Sequence, residues 1–128
     1  MDFQIKLFSW PDKGDHLIMI ARGLLDRAAL EQVFHEVATV TQPLQDCKVI
    51  IDLQDAACDL KTADIQTFAS GLKLDRWPAT NKVAMVSPQD SEQYGQLLML
   101  TRDLAKVDFK MAVFTDSKSA VNWLTEIM

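Results

Sequence analysis

Three aspartates that lie close together in the sequence are the first candidates for chemistry. Asp52, Asp55 and Asp59 supply carboxylate oxygens, and a hard cation such as Mg²⁺ needs only a few protein ligands of that kind. No histidine follows them at the spacing of a metal site. We therefore interpret these side chains as solvated or helix-capping carboxylates, and we predict neither a metal nor a cofactor.

The histidines and cysteines are the other residues that could act as bases or nucleophiles. We expect His16 in a turn at the start of a strand, in contact with water, and His35 on the polar side of a helix. From the sequence we can assign neither of them a serine, cysteine or carboxylate as a catalytic partner, so no catalytic triad is visible. Cys47 and Cys58 form no CxxC motif and are expected to be reduced thiols of a cytosolic protein. We predict no catalytic residue and no enzymatic activity.

Three loops are candidate anion sites, because each joins the carboxyl end of a predicted strand to a helix N-terminus. They cover residues 54–59, 87–91 and 115–119, and the free backbone N–H groups at such positions attract negative charge. The same loops and first helical turns carry acidic side chains, which cap the helices and repel a phosphate. No glycine-rich nucleotide-binding motif is present.

Charge and composition exclude several classes of protein. Eighteen acidic residues against thirteen basic ones give a net charge of −5, which opposes binding to nucleic acid or anionic lipid. The 128 residues are 48% hydrophobic, which suits one domain with its own core. No apolar run approaches the ~20 residues of a membrane span, and residues 1–4 do not resemble the start of a signal peptide. We expect a single cytoplasmic domain over residues 1–128.

An alternation of strands and helices must position all of these side chains. Residues 3–8 and 16–21 have strand patterns on either side of a turn, which predicts an antiparallel hairpin. Asp26 is a predicted N-cap, and after it apolar residues recur every three or four positions up to Pro43. Three further strand–helix pairs follow, with strands at residues 48–53, 82–86 and 109–114.

The same patterns predict where the helices begin and which sides face inward. Ser87 is the expected N-cap of the third helix, with Pro88 at its first position and Asp90 facing its N-terminus. Residues 115–117 are expected to cap the fourth helix. The predicted inward residues are Leu30, Val33, Phe34, Val37 and Val40, then Ile65, Phe68, Ala69 and Leu72, then Leu97, Leu98 and Leu104, and finally Ala120, Val121, Leu124 and Ile127. The predicted fold class is α/β, a single layered domain of order β-β-α-β-α-β-α-β-α with a five-stranded mixed, mostly parallel sheet.

Several local motifs, together with this order of elements, resemble the STAS superfamily in its SpoIIAA-like branch. The motifs are Gly23-Leu24-Leu25-Asp26 opening a long helix, Val49-Ile50-Ile51-Asp52-Leu53 before a polar loop, and Gly71-Leu72. The resemblance extends from about residue 15 to residue 127. It implies a SpoIIAA-like fold, a non-enzymatic regulatory role and a relationship to CRAL-TRIO (Sec14-type) lipid-binding domains.

The sequence departs from the family at the residue that accepts a phosphate. Phospho-switching members carry Asp-Ser at the start of the helix after this strand. Asp59 matches the aspartate, but Leu60 stands at the serine position and has no hydroxyl. Thr62 could accept a phosphate instead, although we interpret it as a helix-capping or first-turn residue. The resemblance therefore does not carry over the kinase switch.

Two functions remain open. The first is a protein-interaction module that docks on a protein partner or on a second copy of itself through the loop holding Asp55, Cys58, Asp59 and Thr62. The second is a binder of a small apolar ligand or lipid, with peripheral membrane association as one form of it. Met99 and Leu100 are expected to point away from the sheet, and apolar residues of this kind can line a pocket or partner surface. The candidate residues for that second role are Phe68, Leu72, Trp77, Leu97, Met99 and Leu100.

Overall fold

The computed structural model describes residues 2–10, 14–43, 47–71, 82–106 and 110–125. Six strands and four helices lie within these ranges. The strands are β1 (Asp2–Trp10), β2 (Gly14–Leu25), β3 (Lys48–Asp52), β4 (Ala56–Cys58), β5 (Lys82–Val86) and β6 (Met111–Phe114), and the helices are α1 (Arg27–Thr41), α2 (Thr62–Gly71), α3 (Ser91–Ala105) and α4 (Ser117–Thr125). Across the described part of the chain, no helix is both long enough and apolar enough to cross a membrane.

A mixed sheet of order β1-β2-β3-β5-β6 lies at the centre of the molecule. The edge strand β1 pairs antiparallel with β2, and the other pairs along this path are parallel. The predicted α/β class and five-stranded, mostly parallel sheet are therefore confirmed. One strand was missed: β4, which lies in the predicted loop at residues 54–59 and pairs with the end of β2. Three residues are too few to show a periodic pattern.

The two faces of the sheet are covered unequally. On one face, α1, α2 and α3 bury side chains such as Leu17, Ile51 and Met85 completely. Phe34 and Phe68 meet there edge to face, with ring centroids 4.9 Å apart, and so join α1 to α2. The opposite face is covered by α4, which packs on β3, β5 and β6 over a smaller apolar cluster.

Strand β2 is 12 residues long because it continues past the main sheet. Residues 16–20 pair with β3, and residues 23–25 pair with β4. Gly23 lies where the strand changes partner and has a φ of 108°, a value that residues with a Cβ rarely adopt. The glycine therefore allows β2 to turn from one partner strand to the next.

The helix caps agree with prediction at two ends and differ at a third. Asp26 caps α1 by accepting a 2.9 Å hydrogen bond from the Ala29 N–H, and Asp116 accepts one of 2.7 Å from the Ser119 N–H at the start of α4. The predicted cap Ser87 is wrong, because α3 begins at Ser91 with Asp90 as its N-cap.

The reason for the difference at α3 lies in the sheet. The Ser87 N–H donates to the Phe114 carbonyl at 2.8 Å, so Ser87 still pairs with the neighbouring strand β6 and is buried. A helix can therefore begin only after the chain has passed the edge of the sheet. Asp90 is the first capping side chain beyond that edge, and it accepts a 3.0 Å bond from the Gln93 N–H.

Two further predictions about single residues were wrong. His16 is a buried residue of β2, 7% exposed, and not a turn residue in water. Val121 is 36% exposed although Ala120 and Leu124 of the same predicted stripe are buried. The stripe faces the sheet, but α4 covers this face only in part. Val121 therefore lies at the edge of the contact between the helix and the sheet. Phe109 and Ile127 lie outside the described residues.

Candidate interaction surface

A short extended segment beside the end of β2 presents alternate side chains to solvent. Ala56, Cys58 and Leu60 are buried, whereas Ala57, Asp59 and Lys61 are exposed. Register pairs Ala57 with Leu24, a leucine whose side chain is 53% exposed. We call the exposed residues Leu24, Ala57, Asp59, Lys61 and Thr62 the β4 surface.

Two glutamine side chains of α3 hold this segment in place. Gln93 Oε1 accepts a hydrogen bond from the Cys58 N–H at 2.5 Å, and Gln96 Oε1 accepts one from the Leu60 N–H at 3.0 Å. The N–H of Asp59, between them, donates to the Leu25 carbonyl of β2 at 2.9 Å. Three successive backbone donors therefore have acceptors inside the protein, and the segment is fixed while Asp59 faces outward.

The start of α2 extends the same surface. Asp64 accepts a 3.1 Å hydrogen bond from the Lys61 N–H, and the Lys61 carbonyl accepts the bond from the Ile65 N–H. This is one half of a capping box. Thr62 is the first helical residue and is exposed, in agreement with its interpretation as a first-turn residue.

An open groove of about 430 Å³ separates this segment from the first turn of α1. Its charged lining residues are Asp26, Arg27, Glu31, Asp59, Lys61 and Asp64, which amount to four carboxylates and two cations. Asp26 and Asp64 already cap helices. The groove is therefore polar, moderately acidic and continuous with the β4 surface through Asp59 and Lys61.

The predicted docking residues do not all face the same way. Asp59 and Thr62 are exposed on the β4 surface, and Asp55 is exposed beside it, with its carboxylate 3.8 Å from the Arg22 guanidinium. Cys58 points inward and is 9% exposed. Burial raises the pKa of the Cys58 thiol to about 11, so the thiol is protonated and unreactive near neutral pH.

The second set of predicted residues divides between core and surface. Phe68, Leu97 and Leu100 belong to the large apolar core. Leu100 was expected to point outward with Met99, and this is wrong: it is fully buried, whereas Met99 is 38% exposed. Leu72 and Trp77 lie outside the described residues. The structure therefore does not bring these six side chains together in one exposed patch.

The aspartates considered as metal ligands are spread along the carboxyl edge. Asp52 accepts a 3.0 Å hydrogen bond from the Gln54 N–H, which is a turn within its own loop. Within the residues that the structure describes, no group of three or more histidine, cysteine, aspartate or glutamate side chains could hold a metal ion.

Sequence reasoning missed the residues that organise this site. Gln93 and Gln96 lie three positions apart on one face of α3, where each reaches a backbone donor. Two half-buried amides at that spacing on an otherwise apolar helix face were the available signal. Leu24 was noted only as part of a family motif, because its exposure depends on the pairing of β2 with β4.

Comparisons with known proteins identify the fold of this chain. No protein-family model and no curated protein matches the sequence. A crystal structure of a DUF3478-family protein with a SpoIIAA-like fold from Shewanella loihica matches with a TM-score of 0.55 and 19% identity, over 95% of this chain and 93% of that one. The unphosphorylated anti-sigma factor antagonist SpoIIAA matches with a TM-score of 0.47 and 12% identity, over 97% of this chain and 100% of that one. The chain thus has a SpoIIAA-like fold.

Proposed function

We propose that this protein is a non-enzymatic STAS-like interaction module that binds a protein partner through the β4 surface. The observation that carries the proposal is the fixed backbone of residues 58–60, whose N–H groups are all bonded internally while Asp59 faces solvent. A surface ordered before binding loses little conformational entropy when a partner docks.

The chemistry of the surface indicates what the partner presents. Leu24 is a large exposed apolar side chain. Alternation along the two paired strands places charged residues on both sides of it, with Arg22 and Asp55 before the Leu24–Ala57 pair and Asp26 and Asp59 after it. Specific interfaces commonly have this arrangement of an apolar centre within a polar rim. Because the adjoining groove holds four carboxylates against two cations, the partner is expected to carry an apolar side chain for Leu24 and lysine or arginine opposite the groove.

The same charges argue against a homodimer through this face. A two-fold dimer would place each β4 surface and its acidic groove against a copy of itself. Like charges would then meet across the interface. We therefore propose a different protein as the partner, and sedimentation of the isolated protein as a monomer is the expected result.

The residue at the phosphoacceptor position supports a partner contact without a switch there. Leu60 is 3% exposed and belongs to the apolar core. It has no oxygen that could receive a phosphate. We propose that binding at this surface is independent of phosphorylation at residue 60.

A binder of apolar ligands is the weaker candidate. In that hypothesis the ligand lies between the sheet and the helices that carry Phe68, Leu97 and Leu100. These three side chains pack in the core, so a ligand there requires α2 or α3 to move. Native mass spectrometry of protein purified from cells tests this: a bound apolar molecule supports it, and a ligand-free mass contradicts it.

The interaction hypothesis is tested by comparing two leucine variants in the native cell. Leu24→Asp places a charge at the centre of the β4 surface, and Leu7→Asp places one on β1, where Leu7 is 51% exposed. A partner that copurifies with the unmodified protein is identified, purified and titrated against each variant. Leu24→Asp is expected to weaken binding at least tenfold, and Leu7→Asp is expected to leave it unchanged. Equal affinity of the two variants would place the interface elsewhere.

A further inference from the structure

Strand β4 pairs with β2 on one side, and its other side is already occupied. Because the Asp59 N–H points to β2, alternation along the segment turns the N–H groups of Cys58 and Leu60 the other way. These two groups donate to the side chains of Gln93 and Gln96. An extended peptide that added to β4 as a further strand would have to displace both glutamines, and α3 packs against this side. The fold therefore opposes docking by strand addition to β4.

The face of the two paired strands is what remains open to a partner. Leu24 of β2 and Ala57 of β4 lie side by side in register, and both are exposed. A segment that lies over this face forms no backbone hydrogen bonds with it and must satisfy its own N–H and C=O groups. An α-helix does this within itself, and an amphipathic helix also presents the apolar side that Leu24 requires. The methyl group of Ala57 leaves room beside Leu24 for such a helix.

Charge is distributed unevenly along this face. At one end, the Arg22 guanidinium and the Asp55 carboxylate lie 3.8 Å apart and balance each other. At the other end, Asp26 and Asp59 both border the polar groove, which is acidic as a whole. Neither of the ion pairs formed by described residues includes these two aspartates. The face thus changes from neutral to acidic along the strands, and it favours a partner whose positive charge lies on one side of its apolar contact.

These features together describe the segment that the partner presents. We propose that the partner docks on this face with one amphipathic α-helix, whose apolar residue covers Leu24 and Ala57. A lysine or arginine one turn along that helix lies between Asp26 and Asp59. The spacing fits, because two residues of strand from Ala57 to Asp59 span about 7 Å, and residues four apart in a helix are separated by about 6 Å along its axis. The inference rests on the proposed function, since it concerns how the partner of the β4 surface is recognised.

The experiment uses the whole partner protein from the copurification described above, titrated by calorimetry against this protein. Hydrogen exchange of the partner locates the segment that is protected in the complex, and each residue of that segment is replaced by alanine in turn. We expect losses of affinity of tenfold or more to recur every three or four positions and to include one apolar residue and one lysine or arginine. Losses at every second position would indicate an added strand and would overturn the proposal, as would losses that follow neither spacing.

Variants of this protein test where the helix lies. Asp59→Asn removes a charge at the acidic end and is expected to weaken binding about tenfold. Replacement of the partner's basic residue by alanine should then cost at least threefold less than it costs against the unmodified protein, because the two groups share one contact. Asp55→Asn removes the same charge at the balanced end and should weaken binding less than threefold. Gln96→Leu frees the Leu60 N–H, so tighter binding by that variant would indicate strand addition and would overturn the proposal.

The outcomes separate this inference from the proposed function. Circular dichroism reports whether each variant is folded. A partner with the same affinity for Leu24→Asp and Leu7→Asp contradicts the proposed function and this inference together. A partner that needs Leu24 but binds Asp59→Asn and Asp55→Asn equally well contradicts the inference alone.

Discussion

The β4 surface and a groove of about 280 Å³ between α4 and the strands β2 and β3, the α4 groove, lie at opposite ends of the same parallel strands and differ in how they are built. At the carboxyl end, glutamine side chains of α3 accept hydrogen bonds from backbone N–H groups and so fix an extended segment. Acidic residues lie beside that segment. At the amino end, the strands themselves hold basic residues in register, beside apolar side chains that α4 leaves uncovered. Hydrogen bonds between α3 and the extended segment order the first region. The second region is open because α4 covers only part of the sheet there.

The difference follows from how many helices each face of the sheet receives. Three helices cover one face and bury the side chains of its central strands, while Leu7 on the edge strand β1 stays exposed. Among the described residues, the helix on the other face is α4, and its nine residues leave part of the strands uncovered. The unequal cover of the sheet therefore leaves two chemically different surfaces, one at the loop-bearing edge and one beside the margin of α4.

Truncation of a core residue should produce the largest difference in stability between the two faces of the sheet. Leu97→Ala removes a fully buried side chain from the three-helix face and should lower the free energy of unfolding by about 2–5 kcal/mol. Val121→Ala, on the partly covered face, should lower it by about 1 kcal/mol or less. Urea unfolding at pH 7 measures both. Equal losses would mean that the α4 side is as tightly packed as the other.

Loss of the glutamine acceptors should have the next largest effect. Gln96→Leu leaves the part-buried Leu60 N–H without its acceptor and should lower the free energy of unfolding by about 1–3 kcal/mol. The control is Gln32→Leu on the exposed side of α1, which should change it by about 0.5 kcal/mol or less. Urea unfolding gives the energies, and hydrogen exchange of the Leu60 amide should accelerate in the first variant alone. An unchanged exchange rate would show that Gln96 does not hold the segment.

Much of the main sheet could be predicted from the sequence, because its signals are local. The alternation along β1, the apolar run of β3 and the spacing of Leu30, Val33 and Phe34 are each visible within a few residues, although Leu7 at the end of the β1 pattern is exposed. The order of these elements then limits the topology to a mostly parallel sheet. Asp26 and Asp116 were predictable as caps for the same reason, since each acts on the next turn of its own helix.

The rest depends on contacts between distant parts of the chain. β4 exists because residues 56–58 meet the end of β2, and the exposure of Leu24 follows from that pairing. The bonds from Gln93 and Gln96 reach back 35 and 36 residues along the chain. The burial of His16 and the exposure of Val121 depend on where α4 stops covering the sheet. No periodic pattern in the sequence predicts these contacts between distant residues.

A smaller effect should distinguish the true cap of α3 from the one that the sequence suggested. Asp90→Ala removes the acceptor for the Gln93 N–H and should lower the free energy of unfolding by about 1 kcal/mol, whereas Asp90→Asn keeps a capping oxygen and should cost a few tenths. Urea unfolding of the two variants measures the difference. Because Gln93 also accepts from Cys58, fraying of this turn should also speed exchange of the Cys58 amide. Equal stability of the two variants would exclude Asp90 as the cap.

The smallest effect concerns pH and the cap of α4, the helix that borders the basic groove. The Ser119 backbone N–H and then its hydroxyl bond to the Asp116 carboxylate and lower the pKa of that group. A carboxylate with a lowered pKa in the folded state stabilises the protein above its ordinary pKa of about 4, and this contribution disappears as pH falls through the lowered value. Asp116→Asn cannot titrate, so its stability relative to the unmodified protein should rise as pH falls from 5 to 3.

The matched variant for that experiment is Ser119→Ala. It removes the hydroxyl donor but keeps the backbone N–H, so the pKa of Asp116 should be lowered less than in the unmodified protein. Its urea midpoint should therefore vary with pH less than that of the unmodified protein and more than that of Asp116→Asn. Because Asp116 is exposed, solvent screens this contribution and its size should remain below that of the Asp90 cap. Identical pH profiles for all three proteins would show that the bonds to Ser119 add nothing to the stability of α4, and the margin of the groove would then depend on the packing of Ala120 and Leu124 alone.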